Sequence, residues 1–157
     1  MIRTRSIWCV LIVALVGLFV LPTAALAQTR QVNASDQRRT ERIIRNIDKF
    51  ESDGILSMNR TATAVEQLLD RLRVRGVDPS ALDAVANHYS RTVSAIRVRQ
   101  QARINALYLT QLRSLQSVNG AEDLISQLTA ERDSALAAMI DTENNSLGQI
   151  ADAISAG

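Results

Sequence analysis

Apolar residues recur at helical spacing along three long stretches of the chain. The clearest runs from Asp78 to Val118. Leu82, Ala86, Tyr89, Val93 and Ile96 are followed by Ile104, Leu107 or Tyr108, Leu112, Leu115 and Val118. Steps of three and four residues place them on one face of a 3.6-residue helix. Asp78 offers an N-cap carboxylate, and Pro79 takes the first helical position, where its missing N–H costs nothing. No Gly or further Pro interrupts the run. Such a helix is roughly 60 Å long. It cannot bury its stripe against itself, so the pattern predicts partners of similar length.

The stretch before it carries Ile44, Ile47, Ile55, Met58, Ala62, Val65, Leu68, Leu69 and Leu72 at the same spacing. Asn33, Ser35 or both cap its start, with Asp36 in the first turn. Ser52-Asp53-Gly54 is its weak point, because Gly costs about 1 kcal/mol in a helix interior. That predicts a bend or frayed turn inside one long helix, with two shorter helices and a four-helix bundle as the alternative. Arg71, Arg73 and Arg75 lie in its last turns, where cations suit the negative end of the helix dipole. Gly76 fits the left-handed position after the helix, with Val77 folding back onto Leu72.

Asn119-Gly120 marks a second turn. Either Gly120 ends the middle helix, or Asn119 caps the next one with Glu122 at capping-box spacing. The third stripe is Leu124, Ile125, Leu128, Ala135, Leu136, Met139, Leu147, Ile150 and Ile154, weakened by Asn144-Asn145-Ser146 and Gly148. Three helices over 33–75, 79–118 and 121–155 with two tight turns predict an all-α fold. The expected form is a long antiparallel three-helix, up-down-up bundle of coiled-coil type. Thr61, Gln100 and Arg132 fall on or near the stripes. Polar residues there fix register, line a groove or mark a dimerising surface.

The first 27 residues stand apart from this pattern. Arg3 and Arg5 precede an uncharged apolar run from Ile7 to Leu21, and Ala25-Leu26-Ala27 is a small-x-small cleavage site. These are the three regions of a secretory signal peptide, cleaved before Gln28. An uncleaved anchor is the competing reading, since Ile7–Ala27 is long enough to span a bilayer. The expectation is an exported protein, periplasmic or extracellular, with one domain over 28–157 that opens on a short flexible lead-in, Gln28–Val32. Beyond Ala27 there is no Cys and no Trp, and the aromatics are Phe50, Tyr89 and Tyr108. An exported domain without disulfides is held by packing alone.

Charge is sorted along the chain. Gln28–Gly76 has ten basic and seven acidic residues, and Pro79–Val118 has five Arg against Asp83. Gly120–Gly157 has Arg132 against Glu122, Asp123, Glu131, Asp133, Asp141, Glu143 and Asp152. The segments therefore attract one another. A sharper reading is a basic strip of Arg91, Arg97, Arg99, Arg103 and Arg113 facing an anionic partner. Nucleic acid would call for interleaved aromatics or a reading motif, and none is present. Membrane contact is expected only through an uncleaved N-terminal segment or a weak basic surface.

Reactive chemistry is not indicated, so the expectation is a non-enzyme without metal or cofactor. His88 is the sole histidine, and one His without Cys makes no typical zinc site. Ser90 and Asp83 lie two and five residues from His88, offsets that do not share a helix face. Glu131, Asp133, Asp141 and Glu143 are spread along a helix rather than gathered in a calcium loop. Leu109-Thr110-Gln111-Leu112-Arg113 and Leu128-Thr129-Ala130-Glu131-Arg132 open like the Leu-Thr-x-x-Gln signature repeated in Spy-type periplasmic chaperones. Both carry Arg where that signature has Gln and neither sits at a helix start, so membership is not assigned. Action through protein–protein contact or self-association is the leading expectation. Client-holding in a helical cradle and binding through a basic surface are the alternatives.

Overall fold

The computed structural model describes residues 30–155. The signal peptide expected over 1–27 lies outside them. In chain order the elements are β1 (Arg30–Gln31), α1 (Ala34–Val74), α2 (Pro79–Leu115), β2 (Val118–Asn119) and α3 (Glu122–Ser155). The fold is an all-α bundle in which each of the three helices packs against the other two.

Local chemistry sets the helix ends. Asn33 Oδ1 accepts from the backbone N–H groups of Ser35 at 2.8 Å and Asp36 at 3.1 Å. The Asp36 carboxylate accepts in return from the Asn33 N–H at 3.1 Å, which closes a capping box. At the other end of α1 the Val77 N–H reaches the Leu72 carbonyl at 3.1 Å, and the Gly76 N–H reaches that of Arg73 at 2.8 Å. With Gly76 at φ +74°, this is a Schellman stop. Asp78 caps α2 through the Ser80 N–H at 2.8 Å.

Helix α1 runs through Gly54 unbroken. The frayed turn expected there does not form, and the missing side chain serves packing. A Cβ on Gly54 would lie 3.1 Å from Gln100 Cγ and 3.3 Å from Met139 Sδ. The glycine lets α2 and α3 close in on α1 at mid-length.

The lead-in is also ordered where it is described, contrary to the flexible segment expected. Arg30 and Gln31 pair in parallel with Val118 and Asn119, and the Val32 N–H donates to the Asn119 carbonyl at 3.2 Å. Helix α2 stops at Leu115, short of the expected Val118. That frees Val118 to join Leu115 and Ala121 in a small buried cluster against Val32, Leu124 and Ile125. Gly120, at φ +75°, then turns the chain into α3, whose first bond runs from the Ile125 N–H to the Ala121 carbonyl. Asn119 thus lies in β2. The main core is a column of Ile47, Met58, Val65 and Leu69 from α1, Val93 and Ile104 from α2, and Leu128, Met139 and Ile150 from α3.

Candidate interaction surface

His88 is exposed and meets the edge of Tyr89, with ring centroids 5.4 Å apart and planes at 82°. Asp83 is exposed and Ser90 half-buried. Among the described residues no group of three or more His, Cys, Asp or Glu side chains is placed to hold a metal ion. No helix among the described residues is long and apolar enough to cross a membrane. Two open crevices of about 300 and 290 Å³ flank Arg73, between the end of α1, the start of α2 and the end of α3. Arg73 does not point into solvent between them. Its guanidinium donates to the backbone carbonyls of Ala153 and of Ile154, the latter at 2.8 Å. It thereby caps α3, whose own last turn has no cation. The expected dipole role of Arg73 on its own helix is exercised on a neighbour.

The basic strip on α2 divides. Arg97 turns towards α3, where it forms an ion pair with Glu143, and donates to Gln101 Oε1 at 2.7 Å. Arg103 lies over the Phe50 ring of α1 at 5.6 Å and donates to Gln100 Oε1 at 3.3 Å. Arg91, Arg99 and Arg113 are exposed. At 100° per residue, Arg91, Arg99, Arg103 and Arg113 share one side of the helix and Arg97 stands on another.

The anionic residues of α3 also divide. Glu143 is buried against Arg97. Asp133 accepts from Arg132, whose guanidinium lies 4.2 Å over the Tyr108 ring. Asp141 is exposed. Glu131 meets Asp48 and Glu51 of α1. Burial, a hydrogen bond to Asp48 and the charges of Asp48 and Glu51 raise its pKa. Burial and the Asp48 charge likewise raise that of Glu51.

Two features were not singled out from sequence. Arg38, Arg42, Arg45 and Lys49 are all exposed on α1, and steps of four, three and four residues align them in one row. That spacing was present in the sequence. The other feature depends on how the helices pack. Among the described residues Arg97–Glu143 is the one ion pair that joins two helices; the remaining pairs, Arg30–Asp36, Arg73–Asp70 and Arg132–Asp133, are local. The charge sorting is therefore hardly used inside the bundle and stays on its surface. No family model, curated protein or solved structure matches the chain.

Proposed function

We propose that this is an exported, non-enzymatic helical protein that acts through protein–protein contacts in the cell envelope, in a structural, adaptor or assembly role. The export part rests on the charged, apolar and small-x-small regions of residues 3–27. The rigid body is an up-down-up bundle. Two contacts support that order. Gln111, near the end of α2, donates to Thr40, near the start of α1, at 2.9 Å. Arg73, near the end of α1, reaches the last carbonyls of α3.

The carrying observation is the unspent charge. Every Asp, Glu, Lys or Arg side chain that α2 exposes between Ala84 and Leu115 is an arginine, and α3 has one cation, already engaged. Sorted charge on rigid neighbouring helices is a means of choosing and orienting a partner. The Arg38–Arg42–Arg45–Lys49 row favours a second reading, contact with an anionic surface such as phosphate headgroups, whose affinity falls steeply with salt. The client-holding alternative has less support. It needs a contiguous concave apolar patch of several hundred Å², and of the exposed large apolar side chains Leu56 and Val74 stand on α1, apart from Val98 and Leu109 on α2 and Ile140 on α3.

The test is photo-crosslinking in intact cells, with the reactive residue at exposed Ala102 of α2, Ala137 of α3 or Thr63 of α1. Discrete protein adducts from some of these positions and none from the others are expected. Absence of discrete adducts from every position would overturn the reading.

A further inference from the structure

The outer side of α2 carries a second stripe, opposite the core positions Val93, Gln100 and Ile104. Ala95, Val98, Ala102 and Leu109 are all exposed, and their steps of three, four and seven residues are those of a heptad seam. Arg97 and Tyr108 reach α3, through Glu143 and through Thr129 at 3.3 Å. Val98 and Leu109 each follow by one position, turned about 100° further round the helix. Both therefore face outward along the α3 side. Ile140 on α3 precedes Glu143 by three residues and so stands about 60° from it, at the level of Val98. Val98, Leu109 and Ile140 are 54%, 45% and 44% exposed, and they are three of the five large apolar side chains that stand out among the described residues.

Charge follows the same division. Arg91, Arg99 and Arg113 are exposed on α2, and Asp133 and Asp141 on α3. Stacking α2 on α2 would oppose arginines, and stacking α3 on α3 would oppose carboxylates. Only the crosswise contact, α2 on α3, pairs opposite charges, and a two-fold axis makes that contact twice. Helices of 37 and 34 residues run roughly 50 Å. Two side by side at 8–10 Å spacing hide on the order of 1,000 Å² per copy, against about 800 Å² for a specific, stable interface.

We propose that the α2–α3 face is a homodimer interface, on which a second copy of the chain docks with its α3 against α2 and its α2 against α3. The proposal names the partner of the contact surface described above and rests on that reading. The apolar seam supplies the buried centre. Arg91 and Arg113 stand on the same stripe beyond its two ends, and Arg99 stands beside it on the side away from α3; these arginines, with Asp133 and Asp141, fix which helix meets which.

The experiment is sedimentation of the protein, purified as its host processes it, with two charge-reversed variants. One carries Arg91→Glu, Arg99→Glu and Arg113→Glu. The other carries Asp133→Lys and Asp141→Lys. The wild type is expected to sediment as a dimer whose dissociation constant rises at least tenfold between low and high salt. Each variant alone is expected to be monomeric. Their mixture is expected to form a heterodimer, because both crosswise contacts are then complementary again. Val98→Glu with Ile140→Glu is expected to give a monomer with full helical circular dichroism.

A wild type that stays monomeric up to on the order of 100 μM would overturn the proposal, whatever the variants do. So would a dimer that survives both charge reversals and the glutamate pair. Crosslinks from α2 to a different protein, with a monomeric wild type, would leave the contact-making reading standing and remove only the self-association.

Discussion

Gln100 of α2 lies across Gly54 of α1, its Cγ 3.1 Å from where a Gly54 Cβ would stand. Met139 of α3 closes the same point from the other side at 3.3 Å. The residue that weakens α1 locally is thus the one that lets the three helices approach. Gly54→Ala gains about 1 kcal/mol of helix propensity and loses a similar amount by pushing Gln100 and Met139 aside, so its unfolding midpoint should stay near that of the wild type. Gly54→Leu has no such space and should destabilise by about 1–3 kcal/mol. Thermal or urea denaturation followed by circular dichroism measures both. A Gly54→Leu variant as stable as the wild type would mean that the helices do not meet here.

The helical architecture was legible because it depends on patterns local in sequence. Asp78-Pro79 opens α2, Arg75-Gly76-Val77 closes α1, and the stripes between them form the core. What escaped depends on contacts between residues far apart. Nothing near Gly54 indicates that Gln100 and Met139 will occupy its free side. Nothing near Arg30 indicates that Val118, 88 positions on, will pair with it. The arginines of α2 read alike in sequence. Only packing turns Arg97 to Glu143 and lays the exposed Arg103 over Phe50, while Arg91, Arg99 and Arg113 are exposed as well.

Arg97 and Glu143 have side chains 24% and 11% exposed, so each is largely removed from water. Glu143→Ala leaves the guanidinium short of its counter-charge and should destabilise by about 1–3 kcal/mol, less than for a fully buried pair. Replacing both, Arg97→Met with Glu143→Leu, removes the desolvation penalty along with the attraction. The double variant should return to within about 1 kcal/mol of the wild type. A double-mutant cycle in urea tests this. Additive losses would show that the two side chains are not coupled.

The Arg30 guanidinium grips the Asp36 carboxylate at 2.8 and 2.5 Å. That contact, followed by the Asn33 N–H, holds the Asp36 pKa below the ordinary carboxylate value, against the opposing effect of burial. A lowered folded pKa means stabilisation that is complete above the unfolded value of about 3.9 and lost as pH falls through the folded one. The β1–β2 pairing should open over that acid range, ahead of the helices. Hydrogen exchange at the Val32 amide, which donates to Asn119, should lose protection there. In Arg30→Ala it should be unprotected at neutral pH as well, with Met58 unaffected. Equal protection of Val32 in wild type and Arg30→Ala would rule out the clasp.

The carboxylates of Glu51 and Glu131, which lie near Asp48, behave in the opposite sense. Burial is the first cause of the raised pKa at both Glu131 and Glu51, and the neighbouring negative charges add to it. A raised folded pKa contributes stability that is full below the unfolded value of about 4.3 and is lost as pH rises through the folded one. At neutral pH the three charges therefore repel across the α1–α3 contact, and among the described residues no ion pair includes any of them. Glu131→Gln keeps the hydrogen-bonding shape and removes one charge. It should stabilise the bundle at pH 7 by about 0.5 kcal/mol, the size of a half-exposed charge pair, which is a degree or two in Tm. The gain should vanish as pH falls below the raised value, where the wild-type carboxyl is itself neutral. Melting curves across pH 3–8 measure it, and a Glu131→Gln variant less stable than the wild type at pH 7 would show that this carboxylate has a cation partner in solution.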